Sequence, residues 1–240
     1  MVYVGMDACK AGWFTVILSD RTDWEINIFP NMFSLWNQCR DVGLILIDVP
    51  IGLREIDSKE RSCDKEARKL LGPERGTSVF PAPCRAAVYA ATNDEAKIIN
   101  AQKTGRSLSE QTLAIIPKIR EVDKFLNDNI SARSRIREIH PEVCFWALNG
   151  FEPMRCSKKA EEGYLERTEV LCSVYPYTED LVCHALKAYS RSRLSRDDIL
   201  DALVAAVTAS KGRQGLLTIP ENPEADSKGL PMEMVYYPMS

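Results

Sequence analysis

Residues 2–18 read VYVGMDACKAGWFTVIL, and this segment gives the first evidence about the fold. Two apolar runs, 2–6 and 13–18, flank a short polar segment that contains Gly12, which is typical of two antiparallel strands joined by a turn. The first run ends at Asp7, a charged residue at the edge of an otherwise apolar strand. We therefore expect two paired strands, with Asp7 at the end of the first.

The strand pattern continues beyond this hairpin. Residues 24–29 alternate apolar and polar side chains as a third strand would, and Asn31 precedes a helical repeat of apolar residues from Met32. Residues 44–47 are apolar at every position, as in a strand covered on both faces, and Asp48 follows them. The N-terminal part of the chain thus predicts the order β-β-β-α-β.

The remainder of the chain is predicted to be mostly helical. Residues from about 54 to 132 have the pattern of a helical insertion, and residues 135–139 that of a fifth strand. Helices follow to about residue 211, and residues 232–237 have the pattern of a terminal strand. Because there is no internal repeat and no clear linker, residues 1–240 are interpreted as one α/β domain.

The composition is typical of a globular protein and excludes several classes. Of the 240 residues, 45% are hydrophobic and 27% are charged. No apolar run approaches the ~20 residues of a membrane-spanning helix, and Asp7 and Lys10 argue against a signal peptide. We therefore expect a cytoplasmic protein with no membrane partner. The net charge of -3 lacks the basic excess of proteins that hold nucleic acid by charge alone, so phosphate recognition has to be local.

The cysteines do not indicate a zinc site or a disulfide scaffold. The eight cysteines are scattered without a C-x-x-C pair, and the chain has only two histidines. We expect most of the cysteines to be small buried hydrophobic residues in a reducing compartment.

Carboxylates occupy positions where hydrophobic strands end. Asp7 and Asp48 each follow an apolar run, and Glu142 is predicted to end the fifth strand in the same way. For a single residue, capping of a turn is an ordinary explanation. Several such residues favour a functional site, because ligands gather at the strand ends of open sheets.

A late helix carries two further acids. Asp201 is the only charged residue between positions 199 and 210, in a helix that is apolar on nearly all sides and is therefore expected to be buried. Asp198 lies on the same helical face. Ser195 and Asp198 also match a capping box, which explains Asp198 without a functional role but leaves Asp201 unexplained.

Together these acids indicate a divalent metal site. Clustered carboxylates repel one another and raise each other's pKa, and a divalent cation offsets that repulsion. A ligand set made only of oxygen favours Mg²⁺ or Mn²⁺ over zinc. Two such ions ~3.5–4 Å apart can activate a water and stabilise the leaving oxygen in phosphodiester cleavage.

Several motifs carry a resemblance to a known family. They are VGMDACKAGW (4–13), IDVPIGL (47–53), Cys63-Asp64 with Arg68 and Leu71-Gly72, SVFPAPCR (78–85), HPEVCFWALNG (140–150) and DDILDALVAA (197–206). These motifs are similar to the predicted ribonuclease H-like nuclease family catalogued as domain-of-unknown-function family 429. The β-β-β-α-β start with its strand-end acids resembles the wider ribonuclease H-like superfamily, particularly its resolvase branch.

The resemblance implies a fold, a site and an activity. The fold is a central five-stranded mixed sheet in the order 3-2-1-4-5, flanked by helices, with the ends of strands 1 and 4 side by side. Carried over by position, Asp7, Asp48 and Asp201 would be the core metal ligands, with Asp198 or Glu142 as the fourth. The activity would be hydrolysis of nucleic acid by a two-metal site.

Basic residues near these motifs are candidates for substrate binding. Lys10 could hold a phosphate or compete with a metal, and His140 is a second candidate, although such a histidine is more often structural. Arginines of the insertion could line a groove beside the FPAP segment, namely Arg61, Arg68, Arg75 and Arg85. The alternative for each arginine is solvation and pairing with neighbouring acids.

The leading hypothesis is a Mg²⁺- or Mn²⁺-dependent nuclease whose partner is DNA or RNA. One alternative is a non-catalytic ribonuclease H-like protein that binds nucleic acid or acts as a scaffold, which the mild net charge favours. Another is an ATP-binding protein of the sugar-kinase or actin type, which is disfavoured because no glycine-rich phosphate loop follows Asp7 or Asp48. The sequence leaves open the substrate class, endo- or exonuclease action, and the oligomeric state, a homodimer included.

Overall fold

The computed structural model describes residues 1–19, 23–56, 59–212 and 215–239, and its centre is a mixed sheet. The five strands of this sheet are β1 (Tyr3–Cys9), β2 (Gly12–Leu18), β3 (Trp24–Phe29), β4 (Leu44–Ile47) and β5 (Ile136–Glu138). Their order across the sheet is β3-β2-β1-β4-β5. Strands β1, β2 and β3 pair antiparallel, while β4 is parallel to β1 and β5 to β4. The expected mixed sheet and its strand order are confirmed.

The turn between β1 and β2 depends on a glycine. Gly12 pairs with Cys9 across the hairpin and has φ 142°, a region that side chains rarely enter. A Cβ atom at this position would lie 2.2 Å from the carbonyl oxygen of Phe29, so no larger residue fits. The tight return of the chain brings β2 alongside β1 over its full length.

Helices cover both faces of the sheet. They are α1 (Met32–Gln38), α2 (Ser62–Arg75), α3 (Arg85–Val88), α4 (Asn93–Thr104), α5 (Glu110–Asp128), α6 (Pro141–Leu148), α7 (Glu161–Val174), α8 (Thr178–Ala188) and α9 (Arg196–Lys211). The helix predicted after Asn31 is confirmed, and the Asn31 side chain caps it by accepting a hydrogen bond of 2.8 Å from the Ser34 amide. Helices α2 to α5 lie between β4 and β5.

Alternate strand residues enter two hydrophobic cores, because successive side chains of a strand point to opposite faces. On one face, Tyr3 and Leu46 pack with α6 to α9. On the other face, Val4, Met6 and Ile47 pack with α1 and α5. The sheet is therefore buried on both sides, which agrees with the continuous apolar run of β4.

Helix α9 lies directly against β1 through a glycine contact. A Cβ atom at Gly5 would lie 2.0 Å from the backbone nitrogen of Ala206 and 2.2 Å from the carbonyl oxygen of Ala202. The helix presents small side chains to the strand at this point, so the two backbones touch. This contact sets the distance of α9 from the sheet.

The C-terminal region forms a second, smaller sheet. Strands β6 (Leu217–Ile219) and β7 (Met234–Tyr236) pair antiparallel. The sequence predicted only the second of them, because a run of three residues carries too little pattern to be recognised.

Two further expectations can be compared with the structure. Within the described residues, no helix combines the length and apolarity that crossing a bilayer requires. All eight cysteines are free thiols, and four of them are buried, namely Cys39, Cys63, Cys84 and Cys144.

Candidate metal centre

Two of the predicted acids lie side by side where the pairing of β1 with β4 stops. Asp48 directly follows β4 as expected, but the expectation that Asp7 ends the first strand is wrong, because β1 continues to Cys9 in its hairpin with β2. Met6 pairs with Ile47, so the parallel register places Asp7 next to Asp48, and the Asp48 amide donates to the Met6 carbonyl oxygen at 3.2 Å. Asp7 has the same strand parity as Gly5, so its side chain is on the sheet face covered by α9. The strand pattern alone therefore directs both carboxylates towards that helix.

Helix α9 supplies the third acid. Asp201 is only 2% exposed and directly precedes Ala202, one of the residues that touch Gly5. One carboxylate oxygen from each of Asp7, Asp48 and Asp201 lies within 4.8 Å of the others. We call these three residues the acidic triad. Two oxygens on opposite sides of an octahedral Mg²⁺ are ~4.2 Å apart, so the triad has the ligand chemistry and close to the spacing that a shared Mg²⁺ or Mn²⁺ ion needs.

The triad carries uncompensated electrostatic repulsion. Burial raises the pKa of Asp7 well above its ordinary value, and Asp48 and Asp201 raise it further. Burial, together with the neighbouring Asp201, raises the pKa of Asp48 to about 8. A site that makes its own carboxylates hard to ionise is one that an additional positive charge stabilises.

Lys158 provides one positive charge. Its Nζ atom donates to Asp201 Oδ2 at 2.6 Å, and its side chain is 40% exposed. Asp201 is the main cause that raises the pKa of this lysine, and Asp7 and Asp48 add to it. Lys158 lies in the loop before α7 and places its ammonium beside Asp201, where a metal ion bound by the triad would also lie.

The two candidates for a fourth ligand are placed differently from the triad. Asp198 forms the predicted capping box: its Oδ2 accepts from the Ser195 amide at 3.0 Å, and the Asp198 amide donates to Ser195 Oγ. Burial raises the pKa of Asp198, and its charge also raises the pKa of Asp7, so it adds negative potential near the triad. Its carboxylate is not among the oxygens that converge within 4.8 Å.

The prediction that Glu142 ends the fifth strand is wrong. β5 ends at Glu138, and Glu142 lies in the first turn of α6, which begins with a proline at position 141. Its Oε1 accepts from the Arg167 guanidinium at 2.5 Å, and both residues are buried. Burial raises the pKa of Glu142, and Arg167 opposes that shift.

The triad borders a cavity of about 570 Å³. Asp7 and Asp48 form part of its wall, together with His140 and Lys158. Burial and the nearby Lys158 lower the pKa of His140 to about 4, so the imidazole is neutral at pH 7. Its Nε2 lies 3.4 Å from the Ser78 carbonyl oxygen, and its buried Nδ1 has no hydrogen-bond partner among the described residues. This nitrogen is therefore a buried polar atom without a partner in the described part of the chain, next to the cavity.

A second group of carboxylates lies on the wall of the same cavity. Asp64 and Glu138 are both in contact with Arg61, which donates to Asp64 Oδ1 at 2.5 Å and to Glu138 Oε1 at 2.7 Å. The remaining carboxylate oxygens accept from the amides of Ala82 and Ile51 as well as from Arg61. We call Arg61, Asp64 and Glu138 the arginine cluster. With Cys63, its two acids also satisfy the spacing of a metal site, but Arg61 already occupies their oxygens.

The basic residues proposed for substrate binding are dispersed. Arg75 and His140 line the cavity, whereas Lys10 is exposed in the β1–β2 turn and is not part of the cavity wall. Arg68 pairs with Glu60 outside the cavity. Arg85 is engaged by three carboxylates, those of Glu55, Asp123 and Asp226, so its role is structural, as the pairing alternative anticipated.

Sequence reasoning did not identify Lys158 as a site residue. The two lysines at 158 and 159 lie in a loop with no motif, although the pattern placed a charged helix there; α7 begins only at Glu161. A contact over 43 positions in sequence, between Lys158 and Asp201, leaves no local signal.

The chain was also compared with known proteins. A model of the family described as "Protein of unknown function (DUF429)" matches residues 5–225, which includes the triad and nearly all of the sheet. Among curated proteins and solved structures, none matches the chain. The chain belongs to the DUF429 family.

Proposed function

We propose that this protein is a Mg²⁺- or Mn²⁺-dependent nuclease that hydrolyses phosphodiester bonds of nucleic acid. The observation that carries the proposal is the convergence of the Asp7, Asp48 and Asp201 carboxylates, within 4.8 Å of one another, with Asp7 and Asp48 on the wall of a cavity. The strand order β3-β2-β1-β4-β5, which places Asp7 beside Asp48, supports a ribonuclease H-like fold. The resemblance of the sequence to that superfamily implies the same order.

The acidic triad is the proposed metal ligand set. Asp7 and Asp48 are held by neighbouring strands and Asp201 by a buried helix, so all three ligands are on rigid elements. When bound, the metal would polarise the phosphate and lower the pKa of a water, which supplies the nucleophile. Asp198 contributes negative potential next to this ligand set from its capping position.

Basic and neutral groups around the triad fit a phosphate. Lys158 and Lys159 line the cavity with Arg75, whose guanidinium is held by the carbonyl oxygens of Met154 and Arg155. The Lys158 ammonium donates to Asp201 in this structure, and it would contact a phosphate oxygen if the triad held a metal ion instead. The neutral His140 lies on the same wall and adds no positive charge there.

The test is cleavage by the purified protein with Mg²⁺ or Mn²⁺ and, in parallel, with EDTA. Single-stranded, duplex, branched and hybrid substrates are compared, and cleavage is expected only with metal. Asp7→Asn and Asp201→Asn should each lower the rate by about 100-fold or more, the scale expected when a group that stabilises transition-state charge is removed. Asp197→Asn is the matched control, since Asp197 is an acid in the first turn of the same helix.

The absence of metal-dependent cleavage on every substrate would contradict the proposal. If the protein still bound nucleic acid, the non-catalytic alternative would replace it. Equal cleavage by wild type and Asp201→Asn would show that the hydrolysis has another origin.

A further inference from the structure

Part of the cavity wall is apolar and is not needed to bind a metal ion or a phosphate. Beside the triad and the lysines, apolar side chains complete the lining, among them Pro50, Phe80, Ile115 and Met234. The volume of about 570 Å³ is in the range of pockets that enclose one small organic ligand. A nucleic acid duplex is too wide to enter such a pocket, whereas a single unpaired nucleotide has the matching combination of a charged end and a flat apolar end.

Phe80 is the aromatic group of this wall, and the chain on both sides of it is fixed. Pro81 follows, which restricts Phe80 to an extended backbone. On one side, the Val79 carbonyl oxygen accepts from Arg68 at 3.0 Å, and on the other the Ala82 amide donates to Asp64 at 3.0 Å. The backbone that carries the ring is therefore fixed before a ligand arrives, which reduces the entropy cost of binding.

We infer that the cavity binds one unpaired nucleotide, with its base stacked on Phe80 and its phosphate at the acidic triad. The inference rests on the proposed function and adds the substrate class: a single strand, or an unpaired position in a longer nucleic acid. Stacking on an aromatic side chain accepts any base, because every base offers a π-face. Gln111, also on the wall, carries an amide that can both donate to and accept from a base edge.

The charges at the cavity agree with this orientation. Lys158, Lys159 and Arg75 lie on the wall with the triad and can hold the phosphates of a strand. Lys159 is exposed, and its ammonium can reach a phosphate next to the one at the metal. A strand thus has contacts that a free mononucleotide lacks.

The test uses an oligonucleotide with one 2-aminopurine, whose fluorescence falls when the base stacks. It is titrated with protein and Ca²⁺, a divalent ion that takes oxygen ligands and can occupy the triad, as a single strand and as the same sequence in a duplex, and free 2-aminopurine nucleotide is a third ligand. We expect quenching with the single strand, little with the duplex and much weaker binding of the free nucleotide. Phe80→Leu should weaken single-strand binding about 10- to 100-fold, the range that stacking energies imply, and Phe80→Tyr should retain it.

A second measurement separates stacking from folding. The Mn²⁺-induced rise in melting temperature of Phe80→Leu should equal that of wild type, because the variant leaves the triad intact. Equal binding of single strand and duplex, or equal quenching by wild type and Phe80→Leu, would overturn the inference, as would preferential binding of the free nucleotide.

The inference and the proposed function fail in different ways. Phe80-dependent binding of the single strand without any metal-dependent cleavage would overturn the nuclease proposal and keep the nucleotide site. Metal-dependent cleavage that is equally fast on duplex and single strand, and unchanged in Phe80→Leu, would keep the nuclease and overturn the nucleotide site.

Discussion

The acidic triad and the arginine cluster border one cavity, but their charges are compensated in different ways. In the arginine cluster, a buried guanidinium contacts both carboxylates, and each of the four carboxylate oxygens accepts a hydrogen bond. In the triad, three carboxylates share one lysine, which bonds directly to Asp201 and is 40% exposed. Carboxylates on the same cavity are therefore fully paired in one group and only partly paired in the other.

This difference supports the proposal that the triad binds a metal ion while the arginine cluster stabilises the fold. Arg61 is 2% exposed and fixed by six oxygen acceptors, so it cannot leave without breaking the fold. Burial opposes its charge, but Asp64 and Glu138 raise its pKa well above the ordinary value. Lys158 is held by a single hydrogen bond and can be exchanged for another cation. Changing each charge in turn tests this contrast.

The largest effect is expected from Arg61→Met. The substitution leaves Asp64 and Glu138 buried without a positive partner, and breaking a buried ion pair in this way costs about 3–5 kcal/mol. The free energy of unfolding from urea titration measures the loss. Arg196→Met is the control, because its ion pair with Glu161 is exposed and is expected to contribute about 1 kcal/mol or less. A loss in Arg61→Met no larger than in the control would remove the distinction between the two groups.

Metal binding should stabilise the protein through the triad. At a Mn²⁺ concentration of 100 times Kd, the expected gain is about 2.7 kcal/mol, visible as a rise in melting temperature. The double variant Asp7→Asn, Asp201→Asn should show no rise, whereas Asp64→Asn should keep it. A Mn²⁺ response that depends on Asp64 instead would reassign the metal to the arginine cluster.

Neutralising one acid should change the free energy of unfolding in opposite directions in the two groups. The folded state raises the pKa of Asp48 to about 8, so between the unfolded value near ~4 and that value the folded state holds more protons and stability falls as pH rises. Without metal, Asp48→Asn should therefore stabilise the protein at pH 8, by on the order of 1 kcal/mol, and less at pH 5.

Asp64→Asn should destabilise at both pH values, because it removes a partner of Arg61. Denaturant titrations in EDTA at pH 5 and pH 8 measure the change in the free energy of unfolding for both variants. Destabilisation by Asp48→Asn at pH 8 would mean that the triad is already compensated without a metal.

An effect of similar size is expected from Lys158→Gln. Removing the ammonium takes away the cation that competes for Asp201, so Mn²⁺ should bind up to about tenfold more tightly, or about 1.4 kcal/mol. Calorimetric titration measures the affinity. Lys159→Gln is the matched neighbour and should change it less, because Asp201 is bonded to Lys158. Weaker Mn²⁺ binding in Lys158→Gln would show that the lysine supports the metal rather than competing with it.

Much of the fold was predictable because it depends on local pattern. The hairpin at residues 2–18 and the apolar run of β4 specify paired strands by their composition, and strand parity directs Asp7 towards α9. The sequence pattern misplaced Glu142 because residues 135–139 lead into residues 140–142 without an obvious break. Pro141 begins α6, and a proline at the first position of a helix is the signal that could have corrected the boundary.

The site was predictable in its acids but not in its cations. Asp201 stands out as a single charge in an apolar helix, which is a feature of the sequence itself. The partner of each acid is chosen by tertiary structure: Arg61 meets Glu138 over 77 positions, and Lys158 meets Asp201 over 43. Contacts between residues so far apart in sequence leave no periodicity or motif. The sequence alone could therefore not show which acids pair with Arg61 and which with Lys158.

The contact between Gly5 and α9 extends the site to a residue without any functional group. An added methyl at position 5 would displace the helix, and Asp201 would move with it away from the strand-end acids. In a mutational scan, position 5 would therefore group with the three aspartates as intolerant, although its side chain is a hydrogen atom. Such intolerance would arise from the close spacing of the β1 and α9 backbones and not from a lost side-chain function.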